Sequence, residues 1–178
     1  MYELFKTRAE AAGGLVHRFP TGAEALEFLL KSLEVEGTPA VWAGGSFLEG
    51  CAEQLLGAPI PGLALSVTRE NAKGARVGIT QMDWGIADTG TLVQDASGVE
   101  QRLASTLPWT HIALLPTRNL VPDLATLLTK VDPARSRYLT FITGPSRTAD
   151  IERVLAIGVH GPERVIVICI DDLEGGRP

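Results

Sequence analysis

Residues 144–152 carry side chains well suited to binding an anion. A glycine turn follows the strand-like run of residues 138–143 and leads into Ser146, Arg147 and Thr148. The amphipathic pattern beyond them predicts a helix. The first N–H groups of a helix have no partner inside it, and the helix dipole favours negative charge there. The segment therefore predicts an anion pocket, with helix capping by Thr148 as the competing interpretation.

The predicted helix covers residues 148–157, and Asp150 and Glu152 fall in its first turn. Arg147 is suited to holding a carboxylate or phosphate through two N–H donors. The two acidic side chains oppose a phosphate at the same place. A small carboxylate, or proton transfer by Asp150, therefore stays open beside a nucleotide phosphate.

A second glycine turn, residues 44–46, lies between the strand-like residues 40–43 and a predicted helix over residues 46–56. This context suits an anion cradle formed by Gly45 and Ser46. The spacing matches neither the dinucleotide-binding pattern nor the P-loop, which ends in Lys and Ser or Thr. A tight turn alone also accounts for the two glycines.

The run Asp88-Thr89-Gly90-Thr91 interrupts the apolar sequence between Ile86 and Val93. Glycine permits a positive φ or a close backbone approach, and the threonines supply hydroxyl groups. Asp88 is suited to act as a general base or nucleophile if it is partly desolvated. Aspartate also favours turns by bonding its own backbone, which is an equally good account.

The sequence does not predict a catalytic or ligand-binding role for any of the histidines. His160 follows the predicted helix, which would be about 15 Å long at 1.5 Å per residue. That length places His160 at the opposite edge of the sheet from Ser146, so we predict a structural role within one subunit, with Gly158 ending the helix. His17 and His111 lie in or before apolar strands and have no partner visible in the sequence.

Strand-like and helical patterns alternate along the chain. Strands are predicted at residues 15–19, 40–43, 76–80, 91–94, 112–115, 138–143 and 164–170. Helices are predicted at residues 2–12, 46–56, 121–130 and 148–157, and a further helix starts at residues 20–22, carries an apolar stripe over residues 25–33 and closes at residues 36–39. Such alternation predicts an α/β fold with a mostly parallel sheet covered on both faces. No linker is visible, so we expect one domain spanning residues 1–178. We expect the 44–46, 88–91 and 146–150 segments to meet at one edge of the sheet, where ligands of such folds gather.

Composition limits the classes of partner and location. The net charge of −5 argues against sequence-independent nucleic-acid binding, which needs a basic face. No run approaches the roughly 18 apolar residues of a membrane span. Residues 1–6 lack the pattern of a secretory signal, so the expected location is the cytoplasm. Cys51 and Cys169 stand too far apart in sequence to form a zinc or iron–sulfur site alone, and we expect no bound metal or cofactor.

Taken together, these segments resemble the LUD-domain family, specifically its lactate-utilisation protein C (LutC/YkgG) type. The matching pieces are residues 77–80, 86–91, 107–108, 111–112, 138–152 and 158–162, and the likeness extends over residues 76–172. The resemblance implies a three-layer α/β sandwich similar to the phosphosugar-isomerase and CoA-transferase (NagB/RpiA/CoA transferase) fold. It also implies participation in oxidising L-lactate to pyruvate with iron–sulfur partner proteins. The chain is short for this type, and we expect it to lack an N-terminal helical extension.

The family resemblance assigns no catalytic residue, so motif positions carry over without roles. Asp88 and Asp150 are the candidates for catalysis. The residues predicted to contact a ligand are Gly45, Ser46, Thr89, Gly90, Thr91, Ser146, Arg147, Thr148 and Asp150. The expected ligand is a small carboxylate or a phosphorylated molecule, and the sequence leaves room for a homo-oligomer. An independent enzyme or binding protein for an acyl-CoA, phosphosugar or nucleotide is the alternative, and a regulatory or scaffold module is a weaker one.

Overall fold

The computed structural model describes residues 1–132, 134, 136–149, 155–157 and 161–174. The helices are α1 (Tyr2–Ala11), α2 (Gly22–Glu36), α3 (Ser46–Gly57), α4 (Arg69–Gly74), α5 (Val99–Thr106) and α6 (Leu124–Lys130). The strands are β1 (Leu15–Phe19), β2 (Ala40–Trp42), β3 (Leu63–Ala64), β4 (Val77–Gln81), β5 (Trp84–Ile86), β6 (Thr91–Asp95), β7 (Thr110–Pro116), β8 (Leu120–Val121), β9 (Leu139–Ile142), β10 (Arg147–Ala149), β11 (Leu155–Ile157) and β12 (Arg164–Ile170). Within this part of the chain no helix is both long and apolar enough to cross a membrane.

A six-stranded sheet with the order β1-β12-β7-β4-β2-β3 forms the centre of the fold. Every neighbouring pair in it is parallel. Its central strands β7 and β12 are almost continuous apolar runs, as expected for strands buried on both faces. The predicted parallel sheet is confirmed.

Side chains alternate between the two faces of this sheet and separate the core into layers. On β7, Ile112 and Leu114 pack with α2 and α3, whereas Ala113 and Leu115 pack with α1 and a second sheet. Helices α4 and α5 cover the β2 and β4 end of this second face. The three-layer α/β sandwich is therefore confirmed.

The second sheet, with the order β8-β5-β6-β9, was not predicted. Its β5–β6 and β6–β9 pairs are antiparallel, and its β5–β8 pair is parallel. Strand β5 has only three residues around Gly85, which gives too short a pattern to recognise as a strand. The pairing of β8 also explains why α6 begins at Leu124, capped by Asp123, three residues later than the predicted helix.

The predicted helix over residues 148–157 is wrong. Its described ends form the antiparallel strands β10 and β11, in which Arg147 pairs with Ile157 and Ala149 pairs with Leu155. A short amphipathic run does not separate helix from strand by periodicity, and here pairing between the two ends prevails over the local capping signals.

Candidate functional site

The predicted glycine turn at residues 44–46 lies at the carboxyl edge of the six-stranded sheet, after β2. Ser46 Oγ accepts a hydrogen bond from Gln81 Nε2 at 3.0 Å, and Gln81 is the last residue of β4. The Gln81 Oε1 atom accepts from Phe47 N–H at 2.9 Å, at the start of α3. A Cβ on Gly45 would lie 2.9 Å from the same oxygen. The glycine therefore makes room for the Gln81 side chain, which already occupies the helix start.

The Asp88–Thr91 segment joins β5 to β6, ends at the first residue of β6 and packs on α1 through Gly90. Gly90 has a φ of +67°, and a Cβ there would lie 2.2 Å from the Ala9 nitrogen. This contact explains the glycine by close backbone approach. Asp88 is exposed, whereas the general-base role considered for it requires a partly desolvated carboxylate.

Hydroxyl groups join this loop to the second motif. Thr91 Oγ1 lies 2.8 Å from Thr89 Oγ1 and 2.8 Å from Thr143 Oγ1. Thr143 directly precedes Gly144, whose φ of +69° places it against the backbone oxygen of Ala12. The 88–91 and 144–147 segments thus meet beside the carboxyl end of α1.

These two segments lie at the amino edge of the six-stranded sheet. Ser146 N–H donates to the Pro162 carbonyl at 2.9 Å, and Pro162 shortly precedes β12. Because the strands are parallel, this edge is opposite to the one that carries Gly45 and Ser46. The expectation that all three segments meet at one edge is therefore wrong for the 44–46 turn.

Arg147 does not stand beside the first amides of a helix, because no helix begins at Thr148. Its guanidinium donates to the backbone oxygen of Ala12, the residue that caps the carboxyl end of α1. A cation at this end complements the helix dipole. Asp150 and Glu152, the acidic neighbours in the sequence, lie outside the described residues.

The predicted separation of His160 from Ser146 required the same helix, whereas residues 147–149 and 155–157 form paired strands. A Cβ on Gly161 would lie 3.1 Å from the Ser146 Cβ, so the chain returns to Ser146 directly after position 160. His160 itself lies outside the described residues.

A cleft of about 400 Å³ opens between the two sheets at this amino edge. Its walls are the end of α5 at Ser105 and Thr106, the segment 140–147, and the turn at Gly161 and Pro162. Arg147 is the one ionised side chain among the described lining residues, which include no carboxylate. The predicted residues Ser146 and Arg147 belong to this cleft, and Thr89 and Thr91 adjoin it through Thr143.

His111 also lines the cleft, and the sequence did not predict this role. It has no exposed surface, and burial lowers the pKa of its imidazole to about 4. Its Nε2 atom lies 2.8 Å from Thr80 Oγ1 on β4. Its Nδ1 atom has no hydrogen-bond partner among the residues that the structure describes. The only signal in the sequence was a histidine next to an otherwise apolar strand.

A second hollow of about 480 Å³ lies at the opposite edge, beside Met1 and Arg18. The Arg18 guanidinium is bound to Asp171 at 2.8 Å and lies over the Tyr2 ring at 4.9 Å. Its charge is therefore already paired, whereas the amino-edge cleft contains an unpaired buried nitrogen.

The two cysteines lie on opposite faces of the six-stranded sheet. Cys51 belongs to the core cluster of α2 and α3, and Cys169 to the cluster of α1 and the second sheet. Burial raises the pKa of both thiols, that of Cys169 to about 12. Among the described residues no group of three or more His, Cys, Asp or Glu side chains is placed to hold a metal ion.

Comparison with known proteins decides the family. The LUD domain model matches residues 2–170, which is nearly the whole chain. The chain belongs to the LUD domain family. The likeness over residues 76–172 seen in the sequence thus extends to the amino-terminal helices of this LUD domain.

Curated relatives of this LUD domain are named lactate utilization protein C. Lactate utilization protein C 1 of Bacillus mycoides is 41% identical over 108 residues, covering 57% of this chain and 46% of the relative. The Exiguobacterium protein is 43% identical over 114 residues, covering 60% and 49%. The Bacillus subtilis protein is 37% identical over 109 residues, covering 58% and 45%. The match thus spans about half the length of these relatives.

A crystal structure of a DUF162 family protein from Deinococcus radiodurans resembles this fold, with a TM-score of 0.63 over 95% of both chains. The sequence identity is 21%, so the comparison supports the fold alone.

Proposed function

We propose that this LUD domain is a cytoplasmic component of L-lactate utilisation. In this proposal it takes part in the oxidation of L-lactate to pyruvate together with iron–sulfur partner proteins, and it binds a small anionic ligand. The observation that supports the role most directly is the 35–43% identity to proteins named lactate utilization protein C.

The arrangement of the cysteines supports the division of labour between this chain and its partners. An iron–sulfur cluster is held by several cysteine thiolates. Cys51 and Cys169 are separated by the central sheet and have raised thiol pKa values, which disfavour the thiolate. In this proposal the partners supply the electron carriers, and this chain contributes a binding site or a contact surface.

The composition of the amino-edge cleft supports an anion as the ligand. Arg147 gives the described lining a single positive charge, and Ser105, Thr140 and Ser146 add hydroxyl groups. The bond to Ala12 engages one of the five N–H donors of the guanidinium and leaves others for a ligand. A small carboxylate matches this set of donors.

The association with partners is tested by purifying the tagged chain from cells of the source organism grown on L-lactate. We expect iron–sulfur proteins to copurify with it in fixed proportion, with iron and visible absorbance in the complex. Glucose-grown cells expressing the same tagged chain are the control. Purification of the chain without such proteins, together with a rise in melting temperature with an acyl-CoA, phosphosugar or nucleotide, would contradict the proposal and favour an independent enzyme.

A further inference from the structure

Two buried polar atoms without a partner belong to the residues that line the same cleft. One is Nδ1 of His111, and the other is Oγ1 of Thr140 on β9, the strand along one wall. The structure describes no hydrogen-bond partner for either atom. Buried polar groups in proteins are almost always hydrogen-bonded, to protein, water or ligand. Of the unsatisfied buried atoms among the described residues, these two belong to residues that line the cleft, which makes them candidates for contact with a ligand atom.

Strand pairing on both sides fixes the His111 backbone beside the cleft. His111 pairs with Gly78 on β4 and with Val165 on β12. A Cβ on Gly78 would lie 1.8 Å from the Ala104 oxygen, so the glycine brings α5 down onto the sheet beside the ring. Thr80 holds Nε2 from β4, and the His111 side chain is fully buried at the wall of the cleft.

The hydrogen bond between His111 and Thr80 is compatible with a ring proton on either nitrogen. Thr80 Oγ1 lies 2.8 Å from His111 Nε2 and 3.4 Å from the Met82 sulfur. A hydroxyl has one proton, and a thioether sulfur is only a weak acceptor. In the tautomer with the proton on Nδ1, Thr80 donates to Nε2 instead of to the sulfur. The imidazole then has an uncharged Nδ1–H donor.

We propose that this cleft binds a small 2-hydroxy or 2-oxo carboxylate, with its 2-oxygen at His111 Nδ1 and Thr140 Oγ1 and its carboxylate at Arg147. The orientation follows from charge, because a carboxylate buried against neutral groups is strongly disfavoured whereas Arg147 is exposed and cationic. A 2-oxo group accepts hydrogen bonds from both His111 Nδ1 and Thr140 Oγ1. A 2-hydroxyl group accepts from His111 and donates to Thr140. The choice of L-lactate and pyruvate as ligands rests on the proposed function.

The test measures binding of L-lactate, pyruvate and propionate to the purified full chain by calorimetry and by NMR of the imidazole signals. Propionate is the matched control, since it keeps the carboxylate and lacks the 2-oxygen. We expect L-lactate or pyruvate to bind at least about tenfold more tightly than propionate, because propionate leaves two buried groups unpaired. The Nδ1 resonance of His111 should shift on binding.

Two substitutions at one position separate the roles of the two ring nitrogens. His111→Asn keeps an amide nitrogen near the position of Nδ1, whereas His111→Gln keeps one near Nε2. We expect His111→Asn to retain most of the discrimination against propionate and His111→Gln to lose it. Thr140→Val should also weaken L-lactate binding by about tenfold. His17→Gln, on a strand of the same sheet where the ring packs on Phe28, is the control and should bind as the wild type does.

The outcomes separate this inference from the proposed function. Equal affinities for all three acids, or unchanged discrimination in folded His111→Gln and Thr140→Val proteins, would overturn the inference even if deletion of the gene abolished growth on lactate. A second outcome is preference for L-lactate or pyruvate over propionate that depends on His111, together with normal growth on lactate without the gene. This outcome would support the binding site and contradict the proposed function.

Discussion

His111 couples the stability of the fold to pH because burial lowers the pKa of its imidazole from 6.5 to about 4. As the pH falls, the imidazole takes up a proton near pH 6.5 in the unfolded chain but only near pH 4 in the folded protein. Between the two values the unfolded state binds more protons. Stability is therefore complete above the unfolded pKa and falls as the pH falls.

We predict that the protonation of His111 alone lowers the free energy of unfolding by about 3 kcal/mol as the pH falls from 7 to 4. Urea unfolding of the wild type and His111→Gln at several pH values in this range gives the contribution as the difference between two profiles. Between pH 7 and pH 4 the free energy of unfolding should fall less for His111→Gln than for the wild type. Parallel profiles would mean that His111 is not buried in a neutral form.

For single residues, the sequence predicted which side chains line the cleft better than it predicted the groups that those side chains contact. Ser146 and Arg147 were expected to line an anion site, and they do line the amino-edge cleft. Ligand contact by them stays a prediction. The environment of Arg147 could not be predicted, because its partner Ala12 is 135 residues away along the chain. His111 was missed for the same reason, since its partner Thr80 lies on another strand.

Arg147 stabilises the end of a helix that is distant in sequence. Arg147→Ala removes the bond to Ala12 and the favourable interaction with the α1 dipole, and we predict a loss of about 1 kcal/mol in stability. Arg147→Lys keeps the charge and should lose less. Chemical denaturation of the two variants checks the order. Equal stability of the wild type and Arg147→Ala would show that this contact does not hold α1.

Among the elements, the hairpin between β5 and β6 depends on the glycine that contacts α1. Gly90→Ala combines a positive φ with a Cβ placed 2.2 Å from the Ala9 nitrogen. We predict a loss of about 3 kcal/mol, from left-handed strain and overpacking together.

Gly50 provides the control for this substitution. It lies within α3, and a Cβ there meets nothing within 4 Å. Gly50→Ala should raise stability by roughly 0.5–1 kcal/mol through helix propensity. Thermal melting of both variants tests the pair, and a Gly90→Ala protein as stable as the wild type would contradict the close contact.

The elements predicted correctly are those with long or strongly apolar patterns. The last strand, β12, was predicted with both of its ends, and β7 was recognised from its apolar core. The β10–β11 pair was mistaken for a helix, because pairing between residues 147–149 and 155–157 leaves little trace in a short amphipathic run. The second sheet was missed because its strands β5 and β8 have three and two residues.

For the whole molecule, we propose that residues 1–178 form one domain that unfolds cooperatively. One core cluster already joins Phe5 of α1, Leu92 of the second sheet and Leu115 of the central sheet. Because these layers share one core, a loss of packing in one exposes the others. We predict one thermal transition, with coincident midpoints by near-UV and far-UV circular dichroism. Two separated midpoints would show that the sheets unfold independently.

The role that we propose for this LUD domain in L-lactate utilisation is a claim that growth can test. The measurement is the growth rate of a deletion strain of the source organism on L-lactate as the sole carbon source, with and without the restored gene. We predict that deletion abolishes growth on L-lactate, leaves growth on glucose unchanged, and is complemented by the wild-type chain. Normal growth of the deletion strain on L-lactate, in an organism without a second copy of the gene, would contradict the claim.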